Sequence, residues 1–127
     1  MRLNQVTMSC NDVAASVEYY TTLGLTQIVA SDHYARFVCP DGEATLSVHL
    51  VDESIEGASP VVYFECDDLD RTVTELEGAG ITFDSAPEDR RWLWREARLR
   101  DAAGNELCLV YAGESRLDPP WRIQPPA

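Results

Sequence analysis

The chain has 127 residues, 45% hydrophobic and 25% charged, enough for one domain that buries about two-thirds of its unfolded surface. A net charge of −12 argues against nucleic acid and anionic membrane surfaces as partners. No apolar run approaches the ~18 residues that would cross a bilayer, and MRLNQVTMSC lacks a signal peptide's continuous apolar core, so a cytoplasmic protein is expected.

Residues 3–10 alternate, with Val6, Met8 and Cys10 on one side and Gln5, Thr7 and Ser9 on the other, which predicts a first strand. Asn11 or Asp12 then caps a helix, VAASVEYYTTLG, with apolar Val13, Val17, Tyr20 and Leu23 at helical spacing and Gly24 as its stop. Three strands follow in TQIVAS, HYARFVC and EATLSVHLV. The pattern then restarts. PVVYFEC alternates like the first strand, Asp68 precedes a helix carrying Leu69, Val73 and Leu76, and Gly80 closes it. Val6/Val62, Met8/Phe64, Cys10/Cys66, Asp12/Asp68, Val17/Val73, Tyr20/Leu76 and Gly24/Gly80 share one offset of 56 residues, the mark of an internal duplication.

After Ile81–Ala86 and a polar loop, PEDRR, the second unit ends in a hairpin, WLWREARLRDAAGNELCLVY, turning at Asp101–Asn105. Its last strand matches the first unit's, with Leu46/Leu107, Ser47/Cys108 and Val48/Leu109 in register. The expected fold class is α+β, two tandem βαβββ modules at 1–53 and 58–112 forming a single domain over 1–112. Residues 113–127 form an extended proline-rich tail, with Trp121 and Ile123 as anchors onto the body or a partner.

All ten basic residues are arginine, and Arg90, Arg91, Arg95, Arg98 and Arg100 fall within eleven positions, a local positive island suited to a small anion. Four cysteines (Cys10, Cys39, Cys66, Cys108) without a CxxC pair read as buried thiols.

The duplicated βαβββ unit, the D-V/L-x-x-x-V helix opening and the D-x-x-G-N hairpin resemble the vicinal oxygen chelate superfamily, which includes glyoxalase, bleomycin-resistance proteins and extradiol dioxygenases. The resemblance covers roughly residues 2–112. It implies that the modules form an open, cup-shaped barrel with helices outside and the ligand in the cup, and that small members form homodimers. The metal-binding positions of such proteins match Gln5, Ser47 (with His49 two residues on), Val61 and Cys108 here. Val61 cannot ligate, and a soft thiolate beside oxygen donors suits the usual divalent ions poorly. No cofactor is therefore expected, with a divalent metal as the alternative.

Strand parity lines the cup with Gln5, Thr7, Ser47, His49, Tyr63, Glu65, Trp94, Glu96, Arg98 and Cys108. Among them His49, Glu65 and Glu96 are the candidate catalytic groups: a histidine that changes charge near neutrality, and two carboxylates that can act as acid and base. Their plainer roles are a hydrogen-bonded strand histidine and partners for arginine. Gln5, Ser47, Tyr63, Trp94, Arg98 and Cys108 are the candidate substrate-binding residues, with Trp92, Trp94 and Tyr63 as a platform for a flat ligand and Arg98, paired with Glu96 or Glu65 when empty, as its anion fork. The expected function is binding of a small anionic or aromatic molecule without metal; the alternative is a lyase, isomerase or dioxygenase with a displaced or atypical divalent metal site. A dimeric interaction module with a vestigial cup is disfavoured by the ionisable groups kept on the cup side.

Overall fold

In the computed structural model, which describes residues 2–53 and 60–123, β1 (Gln5–Cys10) leads into α1 (Val13–Leu23) and three strands, β2 (Thr26–Ala30), β3 (Tyr34–Val38) and β4 (Thr45–Leu50). The second unit repeats this as β5 (Val62–Glu65), α2 (Leu69–Gly78), β6 (Glu88–Asp89), β7 (Arg95–Arg100) and β8 (Glu106–Tyr111). Each unit makes one four-stranded mixed sheet, ordered β1-β4-β3-β2 and β5-β8-β7-β6. The outer partner is parallel in both, β1 on β4 and β5 on β8, and the remaining pairs are antiparallel. No ladder joins the sheets among the described residues, so the barrel stays open. The expected boundary between the modules falls largely on residues 54–59, outside the described residues.

The offset of 56 holds where local chemistry sets the backbone. Asp12 Oδ1 accepts from Ala15 N at 3.0 Å and Asp68 Oδ1 from Arg71 N at 3.2 Å, so each aspartate satisfies an amide that the first helical turn leaves open. Asn11, the other cap candidate, instead donates to the carbonyls of Val51 and Glu53. At the helix ends Gly24 and Gly80 adopt φ of 112° and 97°, a left-handed turn that only glycine makes without strain.

The apolar sides of both sheets and both helices share one core, holding Met8, Phe37 and Val48 of the first module with Val73, Leu99 and Leu107 of the second. In β1, β4 and β7 one side is apolar and the other polar, because side chains alternate across a pleated strand, whereas β8 is apolar on both sides, Cys108 and Val110 packing with Val61 and Trp94 away from the main core. The modules are also tied by a buried polar joint. Tyr20, fully buried on α1, donates its hydroxyl to Asp101 Oδ2 at 2.7 Å, and Asn105 Nδ2 donates to Ser9 O at 2.8 Å. The burial of Tyr20, with Asp101 beside it, raises its phenol well above the ordinary range.

Two local expectations change. The PEDRR loop contains β6, whose Glu88 and Asp89 pair with Glu96 and Arg95; a two-residue exposed strand carries no alternation to read. The tail begins as a 3-10 helix (Gly113–Arg116), and Trp121 and Ile123 lie exposed, which leaves a partner as the other surface expected for them; residues 124–127 of the tail lie outside the described residues.

Candidate functional site

The polar face of the second sheet carries a connected set of charged and aromatic side chains. Its centre is Glu96, only 1% exposed although it lies on the polar side of β7. The carboxylate accepts from Trp92 Nε1 at 2.6 Å and from Arg98 Nη2 at 3.2 Å, with Arg90 Nε 4.0 Å away. A buried carboxylate is tolerable only with such partners, since an unpaired one costs several kcal/mol or more. The turn from β6 into β7 supplies the indole. Leu93 takes a left-handed φ of 68°, uncommon for a branched residue, and Leu93 N donates to Arg90 O at 3.0 Å, which doubles Trp92 back onto the strand it precedes.

Arg98 also donates to the Tyr63 hydroxyl at 3.3 Å, its guanidinium 5.6 Å from that ring's centroid. Tyr63 and Trp94 meet edge to face at 5.9 Å and 80°. Both Tyr63 and Arg98 meet water, at 46% and 32% exposure, so the fork and the ring are reachable from solvent. Cys108 lies opposite Arg98 in the ladder and is fully buried. Burial, with the Glu96 carboxylate adding to it, pushes its thiol up to about 12. It is therefore a filler and not a nucleophile at neutral pH. The sign of its effect on stability follows: the unfolded chain releases this proton near 9 while the folded chain holds it, so stability is lost as pH rises from 9 toward about 12. Urea denaturation of Cys108→Ala at pH 8 and pH 10.5 should show a smaller alkaline loss than the wild type.

Glu65 does not serve Arg98. Its Oε2 accepts from Ala112 N at 2.9 Å and Gly113 N at 3.3 Å, holding the start of the 3-10 helix, while Trp94 Nε1 donates to Ser115 O at 3.3 Å. The expected alternative, Glu96, is the partner instead. His49 is exposed at the end of β4 and meets His33 edge to face at 6.3 Å. Among the described residues no contact joins His49 to Glu65 or Glu96, so the three candidate catalytic groups do not form one constellation.

The polar face of the first sheet is smaller and mostly neutral. Thr7 and Ser47 share a hydrogen bond at 2.7 Å, Gln5 Nε2 donates to Thr7 Oγ1 at 3.3 Å, and Thr45 donates to Gln5 Oε1 at 2.8 Å. Tyr34 and Arg36, which strand parity alone did not bring forward, complete this face: Arg36 Nε donates to the Tyr34 hydroxyl at 3.0 Å. Hydrogen bonding to Ser47, with Arg36 adding to it, lowers the Tyr34 phenol below its ordinary value. Among the described residues Arg36 has no carboxylate within ion-pair distance. The missed signal was a match: Arg36 faces Ser47 in its ladder as Arg98 faces Cys108.

The four positions matched to metal ligands do not fit a divalent ion. Gln5 and Ser47 are tied to neighbouring hydroxyls, Val61 offers only hydrocarbon, and Cys108 is a fully buried soft sulfur among oxygen donors. Among the described residues no three His, Cys, Asp or Glu side chains converge as a metal site.

Two repeated βαβββ units, each with one sheet side turned to a common core, define a duplicated fold. The sequence model of the Glyoxalase/Bleomycin resistance protein/Dioxygenase superfamily matches residues 2–109, and the chain belongs to that family. It is 29% identical over 126 residues to the uncharacterized protein YraH of Bacillus subtilis (strain 168), covering 87% of this chain and 98% of that protein. The crystal structure of a glyoxalase/bleomycin resistance protein/dioxygenase from Nocardioides superposes with a TM-score of 0.78 at 22% identity, covering 98% of this chain and 90% of the other. A bleomycin-binding protein crystallised with bleomycin superposes with a TM-score of 0.72 at 18% identity over 87% of this chain and 98% of its own. Among the described residues no helix is long and apolar enough to cross a membrane.

Proposed function

We propose that this chain binds a small carboxylate-bearing aromatic molecule on the polar face of β5, β7 and β8, without a divalent metal. The observation that carries this reading is Arg98, a partly exposed guanidinium braced by buried Glu96 and lying against Tyr63, with Trp94 at the ring's edge. Bracing fixes the arginine's rotamer, so a ligand carboxylate gains a bidentate partner at little entropic cost, and the aromatic pair receives its flat part. The bleomycin-binding relative makes ligand capture without turnover a reasonable use of the fold. Calorimetric titration with benzoate-type and indole-carboxylate ligands in excess EDTA should give saturable binding, unchanged when zinc, nickel or manganese replaces the chelator. Binding that requires a metal would reverse the reading.

The two polar faces share no hydrogen bond, ion pair or ring contact among the described residues, and each bonds within its own sheet. We infer that a homodimer sets the first-module face of one copy against the second-module face of the other, bringing Arg36 and Arg98 to one ligand. Light scattering at micromolar concentration checks this, a monomer counting against it.

Tyr34 supports a second reading, a lyase, isomerase or dioxygenase with an atypical metal site, because its phenol oxygen stands beside the Arg36 guanidinium, on the face that also carries Gln5 and Ser47, where it can hold or pass a proton or ligate a metal. Elemental analysis that finds a stoichiometric divalent ion, lost in Tyr34→Phe, would favour it.

A further inference from the structure

The duplication gives the molecule two joints between modules, and only one is sealed. At the sealed joint Tyr20 reaches Asp101, and Asn105 reaches the carbonyl of Ser9. The ladders fix the corresponding positions at the other joint. Val38 pairs with Thr45 as Arg100 pairs with Glu106, and Cys39 N donates to Ala44 O as Asp101 N donates to Asn105 O. Cys39 thus stands where Asp101 stands, and Ala44 where Asn105 stands. Leu76, 56 positions after Tyr20, stands where the tyrosine stands.

All three sealing side chains are replaced by smaller or less polar ones, and the second joint is an open cleft of about 710 Å³ bordered by Leu76, Cys39 and Ala44. That volume lies in the range of small-ligand sites. Leu23, Leu25 and Phe64 give it an apolar wall, and Asp41, Glu65 and Asp67 an acidic margin. No basic residue is among its described lining residues. Glu65 is already engaged by the amides of Ala112 and Gly113, which leaves Asp41 and Asp67 to face a ligand.

We propose that this cleft binds a small aromatic amine, its ring set beyond Leu76 in the space a tyrosine fills at the sealed joint and its ammonium group facing Asp41 and Asp67. The apolar wall matches the ring, and the uncompensated carboxylates match a cation and repel an anion. The cleft shares Tyr63 with the Arg98 face, but its described lining is acidic where that face offers a guanidinium, so the two sites are told apart by the charge of their ligands.

The probe is tyramine, titrated into the full chain near pH 7 and followed by amide chemical shifts. Saturable binding is expected, with the shifts centred on Cys39–Ala44 and α2. 4-Hydroxyphenylacetate, with the same ring and the opposite charge, should bind at least tenfold more weakly. Leu76→Tyr builds the plug from within and should weaken tyramine at least tenfold. Ala44→Asn, at an exposed position, restores the donor that Asn105 provides at the sealed joint and serves as the blocking variant if Leu76→Tyr does not fold. No saturable binding at millimolar tyramine, or equal binding by wild type and the blocking variants, would overturn the proposal. Binding that appears only on dilution would place a second copy of the chain in the cleft and overturn it as well.

Discussion

Arg98→Ala should weaken the binding of carboxylate-bearing aromatics by about 2 kcal/mol, roughly thirtyfold in Kd. The figure lies at the low end for truncating one partner of a charge pair because the Arg98 side chain is 32% exposed and part of its charge is already solvated. Arg98→Lys should recover less than half of that loss, since an ammonium keeps the charge without the planar fork. The alanine variant also takes from buried Glu96 one of its charged partners, leaving Trp92 at 2.6 Å and Arg90 at 4.0 Å, so its denaturation midpoint should be measured beside its affinity. Equal affinities for wild type and a folded Arg98→Ala would remove the arginine from the site.

Asp101→Ala should cost about 3–5 kcal/mol of stability, the largest effect expected of any single substitution outside the apolar core. Asp101 is 5% exposed and accepts four hydrogen bonds, from Tyr20 Oη, Asn105 Nδ2, Ala103 N and Asn105 N. Removing it opens the turn between β7 and β8 and leaves the Tyr20 hydroxyl without its short bond in a dry joint. Tyr20→Phe removes one of those bonds and should cost about 1.5–3 kcal/mol, the worth of a hydrogen bond to a charged group. The double variant should lose less than the sum of the singles, because both act on one contact. Urea denaturation of the three variants checks all of this, and additive losses would mean that the joint is not a unit.

The duplicated fold was legible because its signals are local. An aspartate cap, an alternating strand and a glycine stop each act within a few residues, so they recur at a fixed offset of 56 wherever the units are equal in length. The match between Arg36 and Arg98 stayed hidden for the same reason. The turn after β3 runs over 39–44 and the turn after β7 over 101–105, so the offset is 62 before the turn and 61 after it. Parity placed Glu65 and Glu96 on the polar side, and it did so correctly. What it does not contain is tertiary: Glu65 is claimed by the amides of Ala112 and Gly113 at the start of a helix 48 residues later, and Glu96 is buried by an indole swung over it by the left-handed Leu93. The unequal joints between the modules were also present in the sequence, as Tyr20 against Leu76, but only the ladder register shows which turn residues oppose them.

On the function proposed above, the face carrying Tyr63, Trp94 and Arg98 receives an anionic aromatic ligand without a metal. The most direct test is to follow the indole resonances of Trp92 and Trp94, assigned by substitution, while an indole carboxylate is titrated into the chain in excess EDTA. Saturable shifts of the Trp94 indole and of amides along β7 and β8, lost in Arg98→Ala, are the predicted result. Shifts confined to residues outside that face, or shifts that appear only when a divalent metal is added back, would contradict it.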